Sequence, residues 1–296
     1  MLEELRKQAS RSNRDSSVVP LKPTTTEKTS SVRVKGNISM PKPNKPADHT
    51  LSCRHEIKYL VSESKAHAVM RFVELYLPLD RYCKSQPSGA YPIVSLYLDS
   101  HNLQLCQESL QGHKNRFKLR IRSYTDDTNY PCFFEIKRRM NSIIIKDRAR
   151  VKHHNIAGLI SGLSLPPQDY STDQQTLKQF RLYMSSINAR AVIGIRYMRR
   201  AYEGNSQTRV RVTFDRQLAF KADNTADVLL SGQGWQQHPT KGVILEVKFT
   251  GYYPAWLNQM VKSFDLHQRS LSKYASSVKK SCLMKFCAPD LPARIY

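Results

Sequence analysis

The 296-residue chain is 40% hydrophobic, enough for a sizeable core in one large domain or two small ones. Its 47 Lys and Arg against 24 Asp and Glu leave a formal net charge of +23, which calls for an anionic partner: nucleic acid, a membrane surface or a phosphate compound. A membrane-spanning run, an N-terminal signal core and any Cys-x-x-Cys pair among the six cysteines are all missing from the sequence, so the expectation is a soluble cytoplasmic protein with free thiols, its attachment to the inner face of a membrane being left open.

Residues 1–50 are rich in Ser, Thr, Lys, Arg and Pro and nearly free of aromatics, the composition of a disordered basic tail; residues 51–296 are expected to fold. "RHEIKYL" reads as a strand whose two-residue period puts Arg54, Glu56 and Lys58 on one face. In "SESKAHAVMRFVELYL" Ser62 is the candidate N-cap, with Ala66, Val69, Met70, Val73 and Leu77 at helical spacing. "YPIVSLYLDS" is a strand, and "HNLQLCQESLQG" a short helix closed by Gly112. Basic strands follow, broken by the turn "TDDTNYP": "KLRIRSY" aligns Lys118, Arg120 and Arg122, "FFEIKRR" aligns Phe133, Glu135, Lys137 and Arg139, and "IIIKDRAR" aligns Lys146, Arg148 and Arg150. Beyond a helix around "DQQTLKQFRLYMSSI" come "AVIGIRYMRRAYEG", "TRVRVTFDR" with Arg209, Arg211, Thr213 and Asp215 on one face, and "GVILEVKF" with Glu246 and Lys248. Two helices close the chain, "PAWLNQMVKSF" opened by Pro254, and "SLSKYASSVKK".

Glu-x-Lys thus occurs three times, each with Ile or Val between. Strands with one apolar and one charged face can form a sandwich with charges in bulk water, or a barrel with a charged, wet lumen and an apolar exterior covered by helices. The regular glutamates among so many cations, and the supply of amphipathic helices needing an apolar surface, favour the barrel. Lys and Arg directly across strands repel by roughly several tenths of a kcal/mol per pair. An anion in the lumen offsets that, and phosphate oxygens match the arginine fork. The glutamates then form an oxygen-ligand site for Mn2+ or Mg2+; the alternative is that each only neutralises its Lys neighbour. "HEIKY" lacks the second His of a zinc protease. His153 and His154 are expected in an exposed loop, and Trp256, Tyr252 and Tyr253 as packing for the last helices. Few aromatics stand on the basic strand faces, which counts against nucleic acid.

Taken in order, the Glu-x-Lys of the first strand, "KLRIRSY", "FFEIKRR" with "KDRAR", "YMRRAYEG", "RVRVTFD", "ILEVKF" and "SLSKY" resemble the VTC domain, the polyphosphate polymerase branch of the triphosphate tunnel metalloenzymes, over about residues 53–278. The resemblance implies an α+β fold: an antiparallel eight-stranded β-barrel tunnel with helices packed on the outside. It implies transfer of the ATP γ-phosphate to a growing inorganic polyphosphate chain with Mn2+ or Mg2+; the alternatives are a triphosphatase of the same superfamily or a binding module without turnover. By position, Lys58, Arg120, Arg122, Lys137, Lys146, Arg199 and Glu246 are the implied catalytic residues, and Arg148, Tyr197, Arg211, Lys248, Ser272 and Lys273 the implied substrate contacts. Glu246 is the leading implied metal ligand, with Glu56 and Glu135 as secondary candidates and Lys248 beside it. One departure is Ser270, where the eukaryotic polymerases carry a lysine; Arg269 is the available substitute. The phosphate-sensing domain and membrane segments of those complexes are absent from the sequence, which therefore resembles a bare bacterial catalytic version, with a separate membrane protein left open as a partner.

Overall fold

The computed structural model describes residues 54–141, 143–163, 171–204 and 210–283; the expected tail over 1–50, Cys53, Arg209 and Cys287 lie outside the described residues. The elements run β1 (Arg54–Val61), α1 (Glu63–Glu74), α2 (Arg81–Lys84), β2 (Tyr91–Asp99), α3 (Gln104–Leu110), β3 (Asn115–Ser123), β4 (Cys132–Met140) and β5 (Ile143–Val151). A 3-10 turn at His153–Asn155 leads to α4 (Ile156–Ile160), α5 (Ser171–Ser186), β6 (Arg190–Glu203), β7 (Val210–Ala222), β8 (Gln236–Gln237), β9 (Val243–Thr250), α6 (Ala255–Ser263) and α7 (Lys273–Leu283). Eight long strands form one antiparallel sheet in the order β1-β9-β7-β6-β2-β3-β4-β5, and the two-residue β8 pairs with β7.

The alternation read from the sequence divides this sheet into two faces. Residues such as Leu119, Ile121, Phe134, Ile136 and Ala149 point outward, where Leu177, Phe180 and Met184 of α5 and Ile156 and Leu159 of α4 cover them. On the same outward face, over the β1-β9-β7 half of the sheet, α1 (Ala66, Val69, Met70, Val73) and α6 (Leu257, Met260) cover Tyr59, Val212, Leu245 and Val247. Ser62 caps α1 as expected, its hydroxyl accepting from Lys65 N–H at 3.2 Å, and Trp256 stacks on Tyr76 at 4.8 Å between ring centres, a packing contact. These helices form the exterior coat that an apolar outer face requires.

The last helix is placed differently. Ile193, Ile195, Tyr197 and Arg199 share one face of β6, the face opposite the outer coat, and Tyr274, Ala275 and Val278 of α7 pack against Ile193, Ile195 and Tyr197. The inward strand faces are charged over only part of their length; Ile93, Ile193, Ile195 and Ile244 form an apolar stretch inside the barrel that α7 fills. Nor do β1 and β5, the two edges, pair with each other among the described residues. The segment ahead of α7 runs along the free edge of β1 instead: Arg269 N–H donates to Lys58 O at 2.8 Å, and Gln268 bridges to Tyr59. An ion pair from Lys137 of β4 to Glu56 of β1, 3.1 Å, spans the curled sheet.

Candidate functional site

The concave side of the sheet encloses a cavity of about 940 Å³. Of the site residues that the resemblance implies, all but Glu135 line it: Lys58 and Glu56 from β1, Arg120 and Arg122 from β3, Lys137 from β4, Lys146 and Arg148 from β5, Tyr197 and Arg199 from β6, Arg211 from β7, Glu246 and Lys248 from β9, and Ser272 and Lys273 at the start of α7; Glu135 of β4 lies beneath the cavity surface, held by its lining cations. Arg150 departs from the pattern: it sits at the strand end, and its Nε donates to Asp173 of α5 at 2.8 Å. His153 and His154 lie in the 3-10 turn, outside the cavity lining.

On one wall, Glu135 is fully buried and surrounded by cations: Arg120 Nε at 2.7 Å and Lys146 Nζ at 2.6 Å, with Arg148 Nε at 3.5 Å and Arg122 Nη1 at 3.8 Å. Burial alone would raise this carboxyl, but Arg122, Arg120, Lys146 and Arg148 together hold it well below the usual carboxylate range. A carboxylate so enclosed anchors the cations that surround it and presents them to the lumen; its Oε1 has ion-pair contacts to Lys146 and Arg148 but no hydrogen-bond partner.

Across the lumen, β1 and β9 pair in the register Glu56↔Lys248 and Lys58↔Glu246, so the two Glu-x-Lys strands form a checkerboard of charge. Lys248 Nζ stands between the carboxylates, 2.5 Å from Glu246 Oε1 and 3.9 Å from Glu56 Oε2. Burial would raise Glu246, but Lys248, Lys58, Arg199 and Lys273 keep it well below its ordinary value. Glu56, against burial and the repulsion of Glu246, is lowered to about 2 by Lys137, Lys58 and Lys248. Thr213, in register with Glu246 on β7, has a buried hydroxyl with no hydrogen-bond partner. No group of three or more His, Cys, Asp or Glu is gathered among the described residues. Hard divalent ions such as Mg2+ bind through one or two carboxylates completed by phosphate oxygens and water, and Glu246 with Glu56 fits that donor set.

The third wall is held from beneath. Arg199 Nε and Nη2 donate to the two oxygens of Asp215, both at 2.7 Å, and Lys273 Nζ reaches the same carboxylate at 2.7 Å. Asp215 is held at about 2: burial opposes its charge, and Arg199 and Lys273 overcome that. The Tyr197 ring lies under both cations, 5.3 Å from Arg199 and 4.9 Å from Lys273. Ser272 has two partners: its hydroxyl accepts from Ala275 N–H at 3.2 Å, capping α7, and from Lys118 Nζ at 2.9 Å. The positive end of α7 therefore faces the lumen beside Lys118 and Lys273. The buried His238 holds this helix start, its ring 2.9 Å from the Ser276 hydroxyl; burial lowers it to about 4, so it is neutral.

Lys118 and Asp215, which the two-residue period aligns with Arg120 and Arg211, join the site although they are not among the residues the resemblance implies. His238, and the lumen aromatics Tyr82, Tyr91 and Tyr124, come from loops, a short helix and a strand end, where no period marks them. Taken together the chamber can hold a linear polyanion: cations on every wall, their like-charge repulsion held in check by buried carboxylates, of which Glu56 and Glu246 also line the lumen.

A family model described as VTC domain matches residues 53–282. No curated protein matches the sequence significantly. Among solved structures the chain is similar to the PH1819 protein of Pyrococcus horikoshii OT3, at 11% identity and TM-score 0.41, covering 77% of this chain and 99% of that one. It is similar to an adenylate cyclase candidate of Bacillus halodurans (13% identity, TM-score 0.43, 75% and 94% covered). It is also similar to HpAC1 of Hippeastrum, an adenylyl cyclase candidate described with a dominant triphosphatase activity (15% identity, TM-score 0.45, 76% and 95% covered). These distant likenesses assign no residue a role.

Proposed function

Since the chain belongs to the VTC-domain family of triphosphate tunnel proteins, we propose that it is a polyphosphate polymerase, moving the γ-phosphate of ATP onto a growing inorganic polyphosphate chain inside the cavity. The observation that carries this reading is the convergence of Lys58, Arg120, Lys137, Arg199, Arg211 and Lys273 on one lumen that Glu246 and Glu56 also line. Phosphoryl transfer asks a protein for positioning and charge neutralisation more than for a nucleophile. The terminal phosphate of the polymer itself attacks, and no side chain has to be spent as one.

In this reading Arg120, Arg122, Lys146 and Arg148, fixed by Glu135, grip the triphosphate in line, while Arg199 and Lys273, fixed by Asp215, meet it from the other side. Lys273 at the start of α7 and Lys118 of β3 beside it hold the polymer end. Glu246 and Glu56 would hold a divalent Mn2+ or Mg2+ ion, which when bound would supply positive charge to offset that of the phosphates. Glu135, enclosed by cations, serves as their anchor and not as a ligand. Among the described residues no helix is long and apolar enough to cross a membrane.

The test is incubation of the purified protein with ATP and Mn2+, with the products resolved by size. Long phosphate chains with ADP are expected; orthophosphate alone would assign hydrolysis, and no consumption of nucleotide would leave a binding module. The Glu246→Gln variant is expected to lose metal-dependent turnover while still binding tripolyphosphate. Full activity in that variant would remove Glu246 from the mechanism.

A further inference from the structure

The two ends of the cavity differ in chemistry. Where β3 begins and β4 ends, its lining is cationic, with Arg116 and Arg139. Where β2 begins, β3 ends and β4 begins, it is aromatic: Tyr82 of α2, Tyr91, Tyr124 and Phe133 follow one another, with ring centres 6.3, 6.1 and 5.8 Å apart and planes at 70, 57 and 73°. The face of an aromatic ring is its negative side and repels an anion, so in a lumen for phosphate alone such rings serve only to hold the cations, as Tyr197 does under Arg199 and Lys273. Flat π faces beside a phosphate path fit a nucleobase, which stacks on tyrosine whatever its hydrogen-bonding edge.

The rings are not equivalent. Phe133 is buried, and the Arg148 guanidinium lies 3.5 Å over it; Tyr91 is buried and its hydroxyl accepts from Arg211 Nη2 at 3.2 Å. Tyr82 and Tyr124 are half-buried, both line the cavity and both touch Tyr91. Arg148 joins the two regions: its Nη2 donates to the Tyr124 hydroxyl at 3.1 Å, while its Nε faces Glu135 at 3.5 Å. The ring cluster is thus connected by one guanidinium to the centre of the phosphate-gripping wall.

We propose that Tyr82, Tyr91 and Tyr124 form a nucleobase slot at this end of the channel. A nucleoside triphosphate enters with its base on the rings and its phosphates running inward past Arg148 and Arg211, and the lengthening chain leaves towards Arg116 and Arg139. The slot rests on the polymerase reading and deepens it: it makes the donor a nucleotide held by its base and gives the channel a direction.

Calorimetric titration of the full chain with ATP and, separately, with inorganic tripolyphosphate, both without divalent metal, tests it in the wild type, in the double variant Tyr82→Leu/Tyr124→Leu and in Tyr124→Phe. The leucines are expected to weaken ATP about tenfold and tripolyphosphate less than about twofold, with Tyr124→Phe close to wild type. Retained tripolyphosphate binding shows that the variants fold. Equal weakening of both ligands, or unchanged ATP binding, overturns the slot and leaves the phosphate channel standing. A wild-type protein that binds neither ligand overturns both.

Discussion

Glu135 has no contact with solvent, and the side chains around it are arginines and lysines. Removing one partner of a buried ion pair leaves charge without compensation, at a cost of about 3–5 kcal/mol. Glu135→Gln is therefore expected to lose stability of about that size in denaturant titration, and added tripolyphosphate is expected to raise the melting temperature of the variant more than that of the wild type, since an anion in the lumen replaces the missing charge. Unchanged stability would mean that the cations find other partners and that Glu135 anchors nothing. The position of these residues was legible because a strand's two-residue period sorts Lys118, Arg120 and Arg122 onto one face without knowledge of the fold. What that period could not supply was the division of labour among the glutamates. In sequence the three Glu-x-Lys motifs are alike; in space Glu135 is enclosed by cations from β3 and β5, while Glu56 and Glu246 lie diagonally on adjacent strands, each opposite a lysine.

At the scale of elements, the channel wall depends on β1 and β9 keeping their register, because a slip of one residue would turn Glu56, Lys58, Glu246 and Lys248 to the outside. Gly242 guards that register. Its φ is +103°, and a Cβ there would lie 2.5 Å from Val61 O, the carbonyl at the end of β1. Gly242→Ala is expected to cost roughly 1–3 kcal/mol through backbone strain and the displaced strand. Thermal unfolding checks it, and a melting temperature equal to wild type would mean that the turn relaxes freely. Strands and outer helices were readable from periodicity, as Ser62 and Gly112 show at the ends of α1 and α3. The place of α7 was not. Its apolar face has the same helical spacing as a coat helix, and only the tertiary fold reveals that Ile93, Ile195 and Ile244 offer it a surface inside the barrel. The same holds for the seam along β1, closed by the irregular segment around Gln268 and Arg269 that carries no strand pattern.

For the whole molecule, a net charge of +23 called for an anion without saying where it binds, and folding has concentrated a large share of that charge in one lumen. Crowding shows in the titration of its lysines: burial lowers Lys118 to about 8, and Lys137, Lys58 and Arg116 push it the same way. A phosphate chain in the lumen favours the protonated ammonium and raises that value. Binding of tripolyphosphate at pH 8 should then take up protons, and affinity should fall as pH rises above 8 and Lys118 of the free protein loses its charge. Binding enthalpies in buffers of different ionisation enthalpy measure the uptake; proton release, or no exchange, would contradict it. The most direct test of the central claim is a crystal structure of the full chain with tripolyphosphate. The account predicts the phosphates in the lumen, within hydrogen-bonding distance of Arg120, Lys137, Arg199 and Lys273. Tripolyphosphate bound only on the outer surface, away from those four side chains, would contradict it.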